Sequence, residues 1–466
     1  MSEKDKTIII VILAFVALFG CLIMSCCAAS MFAFSHADRD TIREILSGSS
    51  NAFIQTDNNT QNNSPSASFE NDDLDSEGLS QAERLIIAET EKIRGLKADE
   101  KLAPVYQTEE ELREYMVSQL DEVTDEEFED ELGLYTILGF TPEEFDLRQF
   151  YVDLYTEQIA GFYDPEDNQM YLIEDDSPYE NALTLAHEYT HFLQYNTPDF
   201  SKALIHNDDY CEDHGEECMV IDALIEGDAS LTESLIDPDA IIGSYNDNSG
   251  SSGASSTIFD NSPRFFQDSL VFPYVYGYDF VAYHYMKGGF DAVNKMYINL
   301  PQSVEQIMHP EKYLIDKPVN VTTEPFRSMI AKEFDIVNED VMNEADILML
   351  LSCGYDASWQ LSDRQAAVGA DGWGGGSFIF AKKDDKPLFF AKIVWDDENE
   401  AKEAQTLFGV YMDKRFGVSE DDKIWNTDEQ STAHLIRKGD ILYWMILPDN
   451  FDTQNMLKLI ENGTNL

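Results

Sequence analysis

Residues 182–193 read Ala-Leu-Thr-Leu-Ala-His-Glu-Tyr-Thr-His-Phe-Leu, and they decide how the rest of the chain is read. His187, Glu188 and His191 form an H-e-x-x-H pattern inside an apolar, helix-forming run that starts near Pro178. On a helix, positions i and i+4 share one face, so both imidazoles can grip one ion. A carboxylate at i+1 then stands beside the open coordination position. Zinc eases deprotonation of a bound water, and that carboxylate can accept the proton and later pass it to a leaving amine.

A catalytic zinc needs a third protein ligand. An extended H-x-x-G-x-x-H form is absent, because Gln194 and Thr197 stand at the Gly and His positions. Ala223-Leu-Ile-Glu226-Gly-Asp-Ala229 supplies an alternative. Glu226 interrupts an apolar helical run, where a lone carboxylate is costly unless something binds it. Gly227 permits close helix packing. Asp228 is either a rival ligand or a partner for one of the histidines. Donors for a developing oxyanion are sought in Tyr274, Tyr276 and Tyr278, and in His309; Tyr276 and His309 are the choices carried forward.

Working outward, 89 acidic against 31 basic residues give a net charge of -58. That balance argues against nucleic-acid binding, which needs clustered Lys and Arg. Thr7–Phe34 is almost wholly apolar and long enough to span a bilayer, with Lys4 and Lys6 ahead of it. The expectation is a single-pass anchor in the cell membrane with the catalytic part outside the cytoplasm. A cleaved signal peptide and a lipoprotein signal at Leu18–Cys21 are the alternatives, but the apolar run continues past Cys21. Cys211 and Cys218 are close enough for a small disulfide; His214 between them also allows a metal reading, for which no fourth ligand stands nearby.

The expected fold class is α+β. The boundaries are a transmembrane helix at 1–35, a Ser/Asn-rich stalk at 36–78, an acidic helical region at 79–150, a metal-binding core at 151–355 and a C-terminal α+β domain at 356–466. The 79–150 charges read as solvated helix faces. Gly161–Ile173 reads as a hairpin around Asp164-Pro-Glu-Asp-Asn168. Helical patterns cover Phe272–Tyr297 and Phe326–Leu351, and residues 244–257 read as a Gly/Ser-rich loop.

The HEYTH run followed by Glu226-Gly-Asp-Ala resembles the Glu-zincin (gluzincin) clan of metallopeptidases, especially its small "peptidase MA-like" members. The wider string also looks similar to prokaryotic membrane-anchored HExxH proteins. It includes Ala160-Gly-Phe-Tyr-Asp-Pro165, Tyr276-Gly277 and Ser303-Val-Glu-Gln-Ile-Met-His-Pro-Glu-Lys-Tyr313. The resemblance spans roughly residues 80 to 400. It implies an α-rich lobe with a short sheet, a Zn2+ cofactor on His187, His191 and Glu226, and Glu188 as general base. It also implies a peptide or protein substrate laid against an edge strand upstream of the metal helix. One departure stands out: thermolysin-type gluzincins place an Asp four residues after the ligand Glu, where this chain has Ser230, so the histidines' supporting partners are unassigned. The rival class is a cell-surface binding or assembly protein whose zinc site is vestigial or structural.

Overall fold

The computed structural model describes the chain between residues 74 and 461, apart from 75, 77, 122, 174–177, 201–202, 205–207, 212–213, 239–240, 242–256, 385, 420–422 and 428–430. The apolar Thr7–Phe34 span, most of the stalk and nearly all of the 244–257 loop lie outside the described residues. No helix among the described residues is long and apolar enough to cross a membrane.

The structure is mixed α+β. Its N-terminal part runs α1 (Gln81–Arg94), β1 (Val105–Gln107), α2 (Glu109–Leu120), α3 (Asp125–Leu138) and α4 (Leu147–Gln158). Ser80, Thr108 and Thr124 each open a helix with a capping box to Glu83, Glu111 and Glu127. Each box satisfies two otherwise orphaned N–H groups, which fixes where these acidic helices start. The hairpin follows as β2 (Gly161–Asp164) and β3 (Gln169–Ile173), with Asn168 at positive φ in its turn. β1 adds to β3 in parallel, giving a three-stranded sheet of order β1-β3-β2, so β2 lies at an edge.

Next come α5 (Pro178–Tyr195), α6 (Gly215–Ser234) and α7 (Arg264–Gly288). The α7 helix starts well ahead of the expected Phe272 and carries Pro273 inside it. Ala82, Ile86 and Ile87 of α1 pack with Leu185, Ala186, Tyr189 and Phe192 of α5, over Met170 and Leu172 of β3. The first helix of the 79–150 region is thus built against the HEYTH helix.

The C-terminal sheet begins earlier than the expected boundary at 356. The Phe326–Leu351 segment, expected as helix, contains β4 (Asp335–Asp340) between the short helix Phe326–Ile330 and α8 (Glu344–Ser352). β4 pairs with β5 (Trp373–Lys383), far along the chain, so its strand state comes from a distant partner rather than local propensity. With β6 (Lys386–Trp395), β7 (Ile424–Asn426), β8 (Ser431–Lys438) and β9 (Ile441–Pro448), it forms an antiparallel sheet of order β4-β5-β6-β9-β8-β7. Alternate residues face opposite layers. Phe380, Phe389 and Trp444 join a core shared with Leu112, Phe128 and Tyr135, whereas Ile379, Phe390 and Tyr443 meet Met456 and Ile460. The first core therefore ties α2 and α3 to the C-terminal sheet. Gly375 and Gly376 sit in β5 where a Cβ would stand 2.3 Å from Val319 O and 2.2 Å from Met342 O. The Gly run is a close-approach site for backbone within a strand.

The acidic helix α3 departs from a fully solvated face. Glu127, Asp130 and Glu131 are buried. Glu127 caps its own helix, Asp130 pairs with Lys382 of β5, and Glu131 accepts a 2.6 Å hydrogen bond from Tyr151 O–H. Packing against the sheet covers charges that the sequence pattern placed outside.

Candidate metal centre

The site is assembled from α5, α6, α7, α1 and the edge strand β2. His187 and His191 project from one face of α5 toward Glu226 of α6, and all three are buried. His187 Nε2 lies 3.1 Å from Glu226 Oε2, and His191 Nε2 lies 3.6 Å from the same oxygen. A tetrahedral ion with bonds of about 2.0–2.2 Å needs ligand atoms about 3.3–3.5 Å apart, so the spacing fits. His191 Nε2 and Glu226 Oε1 are buried without a hydrogen-bond partner, as is Glu188 Oε2 beside them. Three such orphaned atoms at one point are costly in a closed core, and a cation held by His187, His191 and Glu226 would satisfy the first two.

The other ring nitrogens are held from outside. His187 Nδ1 lies 3.1 Å from Glu233 Oε2, and His191 Nδ1 lies 2.9 Å from Gln194 Oε1. Donation of both Nδ1–H groups leaves both Nε2 lone pairs turned inward, the tautomer a metal ligand requires. Gln194, the residue that breaks the extended motif, passes the support on: its Nε2 donates to Asp228 Oδ2 at 3.1 Å. That oxygen also receives Arg94 Nε at 3.0 Å, Arg94 Nη2 at 2.9 Å and Tyr297 O–H at 2.7 Å. Asp228 is therefore a buried anchor behind His191 and not a ligand.

Glu188 is 4% exposed and hydrogen-bonded by the backbone of Tyr163 in β2. Burial pushes its carboxyl up to about 7, against the pull of His187 and His191. Burial also disfavours the charged imidazoles. Hydrogen bonds to Glu226 and Glu233 outweigh this and hold His187 well above its usual range. Burial likewise works against ionised Glu226, yet the attraction of His191 and His187 keeps it below the usual carboxylate range. At the end of β3, Ile173 N–H bonds Ala160 O just ahead of β2 at 2.8 Å, and antiparallel alternation then turns the backbone of Gly161 away from β3.

The α6–α7 contact sets the depth of the centre. A Cβ on Gly227 would stand 2.1 Å from Gly277 O, and one on Gly277 would stand 2.0 Å from Ala223 O. Glycine at both positions lets the two backbones touch beside Glu226. On α7, Tyr274 faces the centre, its ring 6.3 Å from that of His187. Tyr276 does not: it stacks on Phe272 at 4.8 Å and lines another cavity with His309. His309 Nε2 bonds Glu344 Oε1 there at 2.9 Å, an interaction that raises the His309 pKa. The structure thus brings His187, Glu188, His191 and Glu226 together and places Tyr276 and His309 elsewhere. A disulfide ties Cys211, ahead of α6, to Cys218 in its first turns, and His214 between them stacks on Tyr210.

Sequence reasoning missed Glu233, Gln194 and Arg94 as supports. Glu233 carried a usable signal: seven residues after Glu226 is two turns, hence the same face of α6. Arg94 carried none, since its partner is more than a hundred residues away.

A family described as "Domain of unknown function (DUF8575)" matches residues 330–456, which holds β4, the rest of the six-stranded sheet and none of the HEYTH centre. No curated protein and no solved structure matches the chain.

Proposed function

We propose that the chain is a membrane-anchored zinc metallopeptidase of gluzincin type, hydrolysing peptide bonds with Glu188 as the proton carrier. The observation that carries this reading is Glu188 itself. A buried carboxylate with one oxygen unpartnered, set beside two imidazoles and a third carboxylate, has no structural purpose that a neutral residue would not serve better. His187, His191 and Glu226 would hold the ion. When bound, Zn2+ supplies a Lewis acid for the scissile carbonyl and makes water easier to deprotonate.

The chain's own groups account for the remaining needs. Glu188 takes a proton from the attacking water and returns it to the leaving amine. Glu233 and Gln194 keep the imidazoles in one tautomer and orientation. The outward backbone of Gly161 at the edge of β2 offers main-chain hydrogen bonds to an extended peptide. Tyr274, whose ring lies 6.3 Å from that of His187, is the candidate donor to the developing oxyanion in place of Tyr276 and His309. The Thr7–Phe34 segment, by its length and apolarity, anchors this centre at the cell membrane with the catalytic part outside the cytoplasm.

The test is Glu188→Gln in the purified full-length protein, assayed for zinc content and for cleavage of a peptide library. The expected result is retained zinc and hydrolysis reduced by at least 10³-fold. A parent protein that binds zinc but cuts no peptide favours the binding or assembly reading. A Gln variant as active as the parent removes Glu188 from the mechanism.

A further inference from the structure

His309, Glu344 and Asp371 come together away from the HEYTH helix, each from a different element. His309 ends the short helix Val304–Met308, Glu344 opens α8, and Asp371 follows the helix Asp363–Ala370. Their candidate ligand atoms all lie within 4.8 Å of one another. The three line a cavity of about 590 Å3 that Phe272, Tyr276 and Arg264 also border.

Two observations separate this group from an ordinary ion pair. Glu344 is 2% exposed; its Oε1 takes the bond to His309 Nε2, while Oε2 is buried with no hydrogen-bond partner. An unmatched buried carboxylate oxygen is expensive, and a cation would satisfy it. Nearby, Glu305, Asp316 and Asp396 form a comparable acidic group, but Lys312 Nζ already stands 2.6, 3.7 and 3.9 Å from their oxygens. Lys312 pairs directly with that group and acts on Glu344 only through its field, whereas the direct ion pair of Glu344 is with a histidine, which can itself be a ligand.

We propose that His309, Glu344 and Asp371 form a second divalent-cation site, separate from His187, His191 and Glu226. One imidazole with two carboxylates suits Zn2+ or Mn2+, and all three residues line the cavity. The site does not depend on the peptidase reading, because it shares no ligand with that centre.

The experiment is equilibrium dialysis of the full-length protein against Zn2+, with bound metal measured per chain. The parent is expected to bind one equivalent more than Asp371→Asn and one more than Glu344→Gln. His191→Ala is expected to lose a different equivalent, so that His191→Ala/Asp371→Asn loses two. Asp371 is exposed, so its substitution leaves folding intact, checked by an unchanged melting temperature. Asp371→Asn and Glu344→Gln variants that hold as much zinc as the parent overturn the site. If zinc falls in those variants but not in His191→Ala, this site stands and the proposed peptidase centre fails.

Discussion

Replacing Arg94 by Met is the sharpest test of how the centre is supported. The Arg94 and Asp228 side chains are both 0% exposed. Arg94 gives two hydrogen bonds of 2.9 and 3.0 Å to Asp228 Oδ2, and its guanidinium lies 4.6 Å from the centre of the Phe290 ring. Met keeps most of the packing volume but leaves the Asp228 charge buried without its cation. Breaking one side of such a pair costs about 3–5 kcal/mol. The effect then travels: Asp228 Oδ2 holds Gln194, and Gln194 holds His191 Nδ1. Loss of a support of this kind lowers metal affinity about 10- to 100-fold. Chemical denaturation and Zn2+ competition titration of the same variant should therefore both change. A denaturation free energy within about 1 kcal/mol of the parent, together with unchanged zinc affinity, would refute the argued link from α1 to the centre.

Glu233→Gln, which keeps the shape but weakens the hold on His187 Nδ1, should lower Zn2+ affinity about 10-fold or more with little change in melting temperature. Gly227→Ala should destabilise the fold by at least about 1–3 kcal/mol and weaken zinc binding, because its methyl group would stand 2.1 Å from Gly277 O and force α6 from α7; an unchanged melting curve contradicts the close approach. Stability should fall as pH rises through neutrality. Burial lifts the Glu131 carboxyl from 4.5 to about 7, so the folded state keeps a proton that the unfolded chain releases earlier. Its contribution is full below about pH 4.5 and is lost by about pH 7, on the order of 3 kcal/mol. Burial lifts Glu216 to about 8 and Asp346 to about 7, which add in the same direction. Thermal melts across this range should show the decline, with a shallower slope in Glu131→Gln.

Much of the candidate centre's geometry was legible in the sequence because its signals are local. His187, Glu188 and His191 lie within one turn and a half of α5, and helical geometry alone puts them together. Glu226 announced itself as a carboxylate in an apolar run, and Gly227 as a place for close packing. The hairpin at 161–173 was readable from its turn residues. The α+β class followed from the change of period along the chain.

What the tertiary structure decided is which distant groups meet those local signals. Tyr274 and Tyr276 are two residues apart on α7, so they point roughly 200° apart, and only the position of α5 shows which one faces His187. His309 looked like a companion of the HEYTH helix and instead bonds Glu344. Asp335–Asp340 became a strand because β5 offered it an edge, and α3 buried its carboxyls because the same sheet covered them. Periodicity and capping act over a few residues and are written in the order of the chain. Charge burial, the choice of hydrogen-bond partner and strand pairing depend on which surfaces meet in space, and those contacts are set by packing.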